Sequence, residues 1–317
     1  MNSTATRTEP TQAPEAARSH TSMHLLMLFA TFCWAANIVA GKEALRGFGP
    51  LALAQLRALG AALVFLLVFL AWPGRPRIEL TRRQWLLMAA LSLSGVTLNQ
   101  LFFIGGLART SVAHTGLIVA LGPVMVLFLS CLLRLEPLTA LKLTGMFVSF
   151  GGVAVLTVGH NGQASGAHWQ GDLIVLASSA VFACYTILVK GVSDRYDALT
   201  LNTLVFGLGA LFVVPAGAPA VFRVPWSALP SQVWWSLAYM ILFGSVVPYL
   251  IYAFALTELA ASRVSAFSYL QPVIATALAI WLLAERLTVR AVVGGALILL
   301  GVYLTERETG GIDSLGH

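Results

Sequence analysis

Apolar residues run along this chain in blocks of about 20, each closed by a short polar or Gly/Pro-containing cluster. A helix of about 20 residues rises roughly 30 Å, the thickness of a bilayer's hydrocarbon core. Ten blocks of that kind recur, at 24–42, 51–71, 84–108, 112–133, 139–159, 171–190, 198–222, 232–257, 261–283 and 289–305. No stretch alternates apolar and polar residues as a barrel strand does, and backbone amides in lipid must be paired within their own segment. The pattern therefore predicts an all-α integral membrane protein with ten transmembrane helices and short loops. Trp72, Trp85, Trp169, Trp226, Trp234 and Trp235 fall at or near the predicted ends, where amphipathic rings sit at the headgroups.

Composition agrees. Of 317 residues, 58% are hydrophobic and 10% charged, against roughly 25% charged in a soluble domain, too few to coat a water-facing surface. Residues 1–22 are rich in Thr, Ala, Ser and Pro and read as a disordered tail with no cleavable signal, 307–317 as a second tail, and 160–170 as a linker. The net charge is +6, but the 19 Lys and Arg are spread over loops, which argues against nucleic acid. Twelve of them fall on one side of the predicted membrane and six on the other, with Arg57 inside a helix. The positive-inside bias then places both termini in the cytoplasm.

Candidate chemistry is sparse. Cys33, Cys131 and Cys184 lie inside predicted helices far apart, and His160 and His168 lack a third ligand, so neither a disulfide framework nor a metal set is indicated. No phosphate loop or nucleophile motif appears, so no cofactor and no enzyme activity is expected.

The informative feature is a repeat. Shifted by 149, residues 95–156 lie over 244–305 without a gap and pair Gly95 with Gly244, Pro123 with Pro272, Glu136 with Glu285, Thr139 with Thr288, Gly145 with Gly294 and Gly152 with Gly301. The first helices follow with one residue of slip, pairing Trp34 with Phe182 and Lys42 with Lys190. The chain thus divides into halves 23–159 and 171–306 of five helices each. Five is odd, so the second half enters the membrane inverted, related to the first by a two-fold axis in the membrane plane. Halves of similar packing energy can exchange conformations, opening a site between them to alternate sides.

Residues 111–153 and 261–304, with their paired Pro, Glu-x-Leu-Thr and Gly positions, resemble the two repeats of the EamA family of the drug/metabolite transporter superfamily. FCWAANIVAGKEAL at 32–45 and LALAQLRALGAAL at 51–63 resemble that family's first two helices. The resemblance implies ten helices in two EamA repeats and transport of small metabolites or drugs, typically outward. Small multidrug relatives carry a membrane glutamate eight residues before a lysine; here Trp34 and Phe182 stand eight before Lys42 and Lys190. Without that carboxylate, proton-for-cation exchange is doubtful, and neutral, zwitterionic or aromatic cargo such as amino acids fits better.

A substrate site is expected near the bilayer midplane. Pro123 and Pro272 fall mid-helix and loosen the turn before them, the carbonyls near Val119 and Ser268, making them hinge or kink candidates. Trp34 with Asn37, Tyr249 with Tyr252, and Ser268 with Gln271 share helix faces, and Asn99, Gln100 and Tyr185 lie at comparable depth. These nine either converge on an aromatic cavity with amide and hydroxyl handles, or join helices as hydrogen-bonding glue. Asymmetric positions favour contact with cargo: Asn99 aligns with Pro248, Gln100 with Tyr249, Gly122 with Gln271 and Asn37 with Tyr185. Arg57 either snorkels to the interface, meets a substrate anion or holds a carbonyl of the first helix, and His114 reads as a satisfied helix-end residue. Glu136, Thr139, Glu285 and Thr288 read as structural, each threonine capping the helix it starts and each acid near a helix's positive end. The functional expectation is export of a small metabolite by alternating access, with multidrug efflux or another solute carrier as the alternative, and a lipid-acting enzyme or a scaffold less favoured. Partners are a small-molecule substrate, the bilayer and a possible second copy, joined through small residues such as Gly145 and Ser149.

Overall fold

The computed structural model describes residues 13–76, 78–134, 137–157, 169–259, 264 and 267–312. Every regular element among them is helical: α1 Ala13–Ala44, α2 Pro50–Ala71, α3 Arg82–Leu107, α4 Val112–Val119, α5 Gly122–Leu132, α6 Ala140–Thr157, α7 Trp169–Lys190, α8 Ala198–Val221, α9 Ser231–Glu258, α10 Gln271–Leu283 and α11 Val289–Ile312. Local chemistry sets several starts. Pro50 opens α2 after an extended Gly49, where its missing N–H costs nothing. Thr81 and Gln84 close a reciprocal capping box on α3, and the Ser111 hydroxyl accepts from His114 N at 3.1 Å at the start of α4.

Seven spans are long and apolar enough to cross a membrane, and the apolar helices Ala140–Leu156, Phe267–Leu283 and Val289–Leu304 are shorter. The chain is therefore a multi-pass, all-helical membrane protein. Leu25, Leu63, Leu67, Phe147, Leu211 and Trp281 are among the large apolar side chains left exposed, as a surface facing acyl chains requires.

Several expected boundaries move. Residues 13–22, expected as part of a disordered tail, continue α1, and α11 runs on to Ile312 past the expected end at 305. Both extensions contain helix-forming residues, Glu15, Ala16, Ala17 and Arg18 at one end and Glu306, Arg307 and Glu308 at the other. A polar sequence loses its reason to be in lipid without losing its reason to be helical. Residues 1–12, most of the linker at 160–170, Glu136 and His160 lie outside the described residues. The expected fourth span divides at Ala120 and Leu121 into α4 and α5, with Pro123 at the start of α5. The ninth keeps a 3₁₀ turn, Phe267–Leu270, before α10, whose start holds Pro272. At both, proline removes the donor that would tie the preceding turn to the helix.

One symmetric feature goes beyond the aligned residue pattern. α3 carries a π-turn at Leu93–Thr97 and α9 one at Leu242–Val246, at the same 149-residue shift, each containing a paired glycine, Gly95 or Gly244. A π-turn widens the ring and frees a carbonyl, and such turns gather at functional sites.

Packing interleaves the halves. α1 packs against α9 and α10 of the second half, its counterpart α7 packs against α3, α4 and α5 of the first, and α2 lies along its counterpart α8. The counterparts α6 and α11 form the closest pair. A Cβ on Gly152 would sit 2.7 Å from the Gly294 carbonyl, and the Ser149 hydroxyl donates to the Ile298 carbonyl at 3.3 Å. The small-residue face carrying Gly145 and Ser149 is thus covered within one chain. The same symmetry recurs in Lys42, whose Nζ donates to the Leu107 and Thr110 carbonyls at 3.0 and 2.6 Å. Lys190, its counterpart, donates to Leu256 and Leu259 at 2.8 and 3.3 Å. Each lysine satisfies the open carboxyl end of the third helix of its own half.

Candidate functional site

Between the halves lies a cavity of about 110 Å³ accessible to the centre of a water-sized sphere. By that measure about 10–15 Å³ holds one water, so it has room for several waters or a small organic group. Both halves supply its wall. Trp34, Asn37, Arg57, Asn99, Phe103 and Gly122 come from the first, and Ser178, Phe182, Thr186, Tyr249, Tyr252, Ser268 and Gln271 from the second.

Its aromatic side is continuous. Trp34 meets Phe182, Tyr249 and Tyr252 edge to face at ring distances of 6.0, 6.0 and 5.4 Å, and Phe182 lies 5.6 Å from Tyr252. Trp34 and Phe182 are counterparts in the repeat, so the pair faces itself across the interface between the halves.

Seven of the nine sequence candidates, Trp34, Asn37, Asn99, Tyr249, Tyr252, Ser268 and Gln271, line this cavity, and Gln100 and Tyr185 do not. Neighbouring helical positions diverge by about 100°, so with Asn99 on the wall Gln100 turns into the packing, where it is 1% exposed. Tyr185 is fully buried, its ring against Gly95 with Phe182 and Tyr249 in front of it.

Several wall residues are also tied to the frame. Asn99 Nδ2 donates to the Ser178 hydroxyl at 3.1 Å, bridging α3 and α7, and the Tyr252 hydroxyl pairs with Thr186 Oγ1 at 2.8 Å. The Tyr249 hydroxyl donates to the Gly95 carbonyl at 2.9 Å, inside the π-turn of α3. Arg57 does the matching work in the other half, Nη2 donating to the Gly244 carbonyl at 2.8 Å and Nε to the Ser245 hydroxyl at 2.9 Å. Each π-turn glycine carbonyl is therefore held by a side chain from the opposite half. Arg57 is 4% exposed, so it does not snorkel, and the carbonyl it holds belongs to α9 and not to the first helix. Phe206, its counterpart, packs against Tyr249 at 4.9 Å.

The helix before Pro123 packs on the start of α10. A Cβ on Gly116 would lie 3.5 Å from Pro272 Cα, and one on Gly122 3.8 Å from the Ser268 hydroxyl.

At one end of the interface the second half clasps the first. Glu285 Oε1 and Oε2 accept from Val112 N at 2.9 Å and Ala113 N at 3.1 Å, placing the carboxylate on the positive end of α4. The expected acid at a helix start is there, but the helix belongs to the other half. Thr288 and Thr139 accept from Ala291 N and Lys142 N at 3.1 and 3.3 Å, each at the start of its own helix. Beside Glu285, Asp172 is fully buried, with Thr110 Oγ1 donating to it and His114 Nδ1 3.0 Å from its Oδ2. Sequence reasoning missed this link because the two residues are far apart in the chain and each resembles an ordinary helix-end residue. Their shared location at opposite halves' helix starts was the available signal.

The model of the EamA-like transporter family matches residues 21–158 and again 169–307. Among similar proteins, an "Uncharacterized transporter" of Archaeoglobus fulgidus is 29% identical over 286 residues, covering 90% of this chain and 97% of its own. A protein of Streptantibioticus cattleyicolor named "Probable terminal-alkyne amino-acid exporter" is 27% identical, covering 89% of this chain and 93% of its own. A solved crystal structure at 18% identity superposes with a TM-score of 0.64 over 92% of this chain and 99% of that one, a likeness of fold alone.

Proposed function

The chain belongs to the EamA-like transporter family, and from that premise we propose that it exports a small metabolite across a plasma membrane by alternating access at the cavity between its repeats. The observation that carries this reading is the cavity wall itself. Counterpart residues Trp34 and Phe182 face each other there, and Gly122 of the first half stands opposite Ser268 of the second on the same wall. A site built from both halves changes its access when they exchange conformations, whereas one built from a single half would only travel with it.

The cargo in this reading is neutral, zwitterionic or aromatic. Among the described residues no Asp or Glu lines the cavity, which disfavours a lipophilic cation, and the aromatic face suits an apolar group with a few polar handles. The similarity to a protein named as an amino-acid exporter points the same way. In this reading all three shorter apolar helices complete ten crossings and both termini lie in the cytoplasm, which the distribution of Lys and Arg supports.

The test is transport into and out of proteoliposomes across amino acids, other small metabolites and drug-like amines. At least one class moves, and Trp34→Ala reduces its rate while the protein remains folded. If no solute moves in either direction with the protein folded, the reading fails; movement of drug-like amines alone turns it into multidrug efflux.

A further inference from the structure

Two carboxylates of the second half grip one helix start of the first. Glu285 accepts from the Val112 and Ala113 amides of α4. Asp172, fully buried on α7, lies 3.0 Å from the His114 ring on the same helix and accepts from the Thr110 hydroxyl just before it. Lys42 reaches the same turn from α1, its Nζ donating to the Thr110 carbonyl at 2.6 Å. None of these side chains lines the cavity.

An apolar plug lies between them and it. Ile38, Leu107, Val112, Ala275 and Ala279 form one buried cluster, drawn from α1, α3 and α4 of one half and α10 of the other. Ile38 lines the cavity, whereas Leu283, packed against the same cluster, lines a second pocket together with Lys42 and Glu285. The polar cluster therefore stands where the halves must part for the cavity to open at this end.

Its charges balance only with one more proton. Asp172 and Glu285 against Lys42 leave one negative charge while the His114 imidazole is neutral, and none when it is protonated. His114 and Asp172 are 2% and 0% exposed, and an uncompensated charge at such a depth is costly. The other charged side chains on the surrounding elements do not fill the deficit from within. Arg109 at the end of α3, which donates to the Gly105 carbonyl, and Arg286 and Arg290 after α10 are exposed, and Glu43 and Arg46 pair with each other at 2.8 Å. Exposed charges are screened by water and salt. His168 lies outside the described residues.

We propose that Asp172 and His114 form a proton-binding site, and that the proton it takes locks the two halves together over the plug. One proton from the water at this end turns an imidazole and a carboxylate into an imidazolium–carboxylate pair of zero net charge. When the halves part and Asp172 is hydrated, the proton returns to the same water. Without it, two carboxylates of one half face each other across a single helix start, which favours parting. The inference goes beyond the transport reading and rests on it only for the alternation of the two ends; in the orientation proposed there, this end faces outward.

The experiment uses full-length protein in lipid nanodiscs, with Cys33, Cys131 and Cys184 replaced by alanine. Spin labels at Ala108→Cys and Leu287→Cys, exposed positions on opposite halves at this end, report the separation by pulsed electron paramagnetic resonance. It is read at about pH 5 and about pH 8, the range over which imidazole changes charge. With the native pair, one short separation dominates at the lower pH, and the ratio of a longer one to it rises about fivefold or more at the higher. His114→Gln cannot take the proton and shows the longer separation at both pH values. Asp172→Asn removes the charge that the proton cancels and keeps the short separation at both. A merely structural pair would shift both variants the same way. A separation independent of pH with the native pair overturns the inference, as does a pH response that survives in either variant; where one variant does not fold, the other decides. A pH-dependent separation in a protein that moves no solute leaves the proton site standing without the transport reading, and transport with a pH-independent separation does the reverse.

Discussion

The Tyr249 hydroxyl donates to the Gly95 carbonyl at 2.9 Å, so an aromatic residue on the cavity wall of one half holds open the π-turn of the other. Tyr249→Phe keeps the ring and removes the bond, leaving a buried carbonyl short of a donor, at a cost of about 1–3 kcal/mol. Thermal unfolding in detergent is expected to show a lower Tm for Tyr249→Phe. An unchanged Tm shows that the π-turn does not depend on this hydroxyl.

Gly244 faces Asn37 as Gly95 faces Tyr185, and Asn37 and Tyr185 are counterparts in the repeat. A methyl group at position 244 meets the Asn37 amide, so Gly244→Ala costs about 1–3 kcal/mol by overpacking. Combined with Asn37→Ala, most of that loss returns, and a double-mutant cycle measures the difference. Simple additivity counts against the close contact.

Lys42 and Lys190 make the same pair of bonds in mirrored places. Replacing either by Met leaves two helix-end carbonyls without their donor and is expected to cost roughly 1–3 kcal/mol. The two losses are similar if the role is architectural. A variant that keeps its stability but loses transport makes its lysine part of the mechanism instead.

Glu285 caps α4 from the opposite half. Glu285→Ala removes both acceptors and the charge at the helix's positive end, with an expected loss of about 1 kcal/mol, and Glu285→Gln loses less. Chemical denaturation at fixed pH ranks the three proteins, and a ranking with Gln below Ala contradicts the cap.

Gln271 and Gln100 separate wall from packing. Gln271 lines the cavity beside Tyr252 and Ser268, whereas Gln100 is buried away from it. Gln271→Ala is expected to lower transport severalfold with the amount of folded protein unchanged. Gln100→Ala leaves the transport rate per folded molecule unchanged. Equal rates in wild type and Gln271→Ala remove Gln271 from the site.

Much of the architecture is written in local pattern. Blocks of about 20 apolar residues specify helices because lipid offers backbone amides no other partner, and the shift that pairs Gly95, Pro123 and Glu136 with Gly244, Pro272 and Glu285 specifies a duplicated unit. Seven wall residues were legible because a polar or aromatic side chain in the middle of an apolar helix needs a reason to be there. Only the tertiary structure decided which of those reasons applies. One helical step of about 100° sends Asn99 to the cavity and Gln100 into packing. The packing of α2 against α9 and of α10 against α4 brings Arg57 to the Gly244 carbonyl and Glu285 to the start of α4. Hydrogen bonds of that kind join positions whose separation in the chain carries no periodic signal, so the sequence alone determines the helices and their duplication, and the contact between the two halves determines what these buried polar groups do.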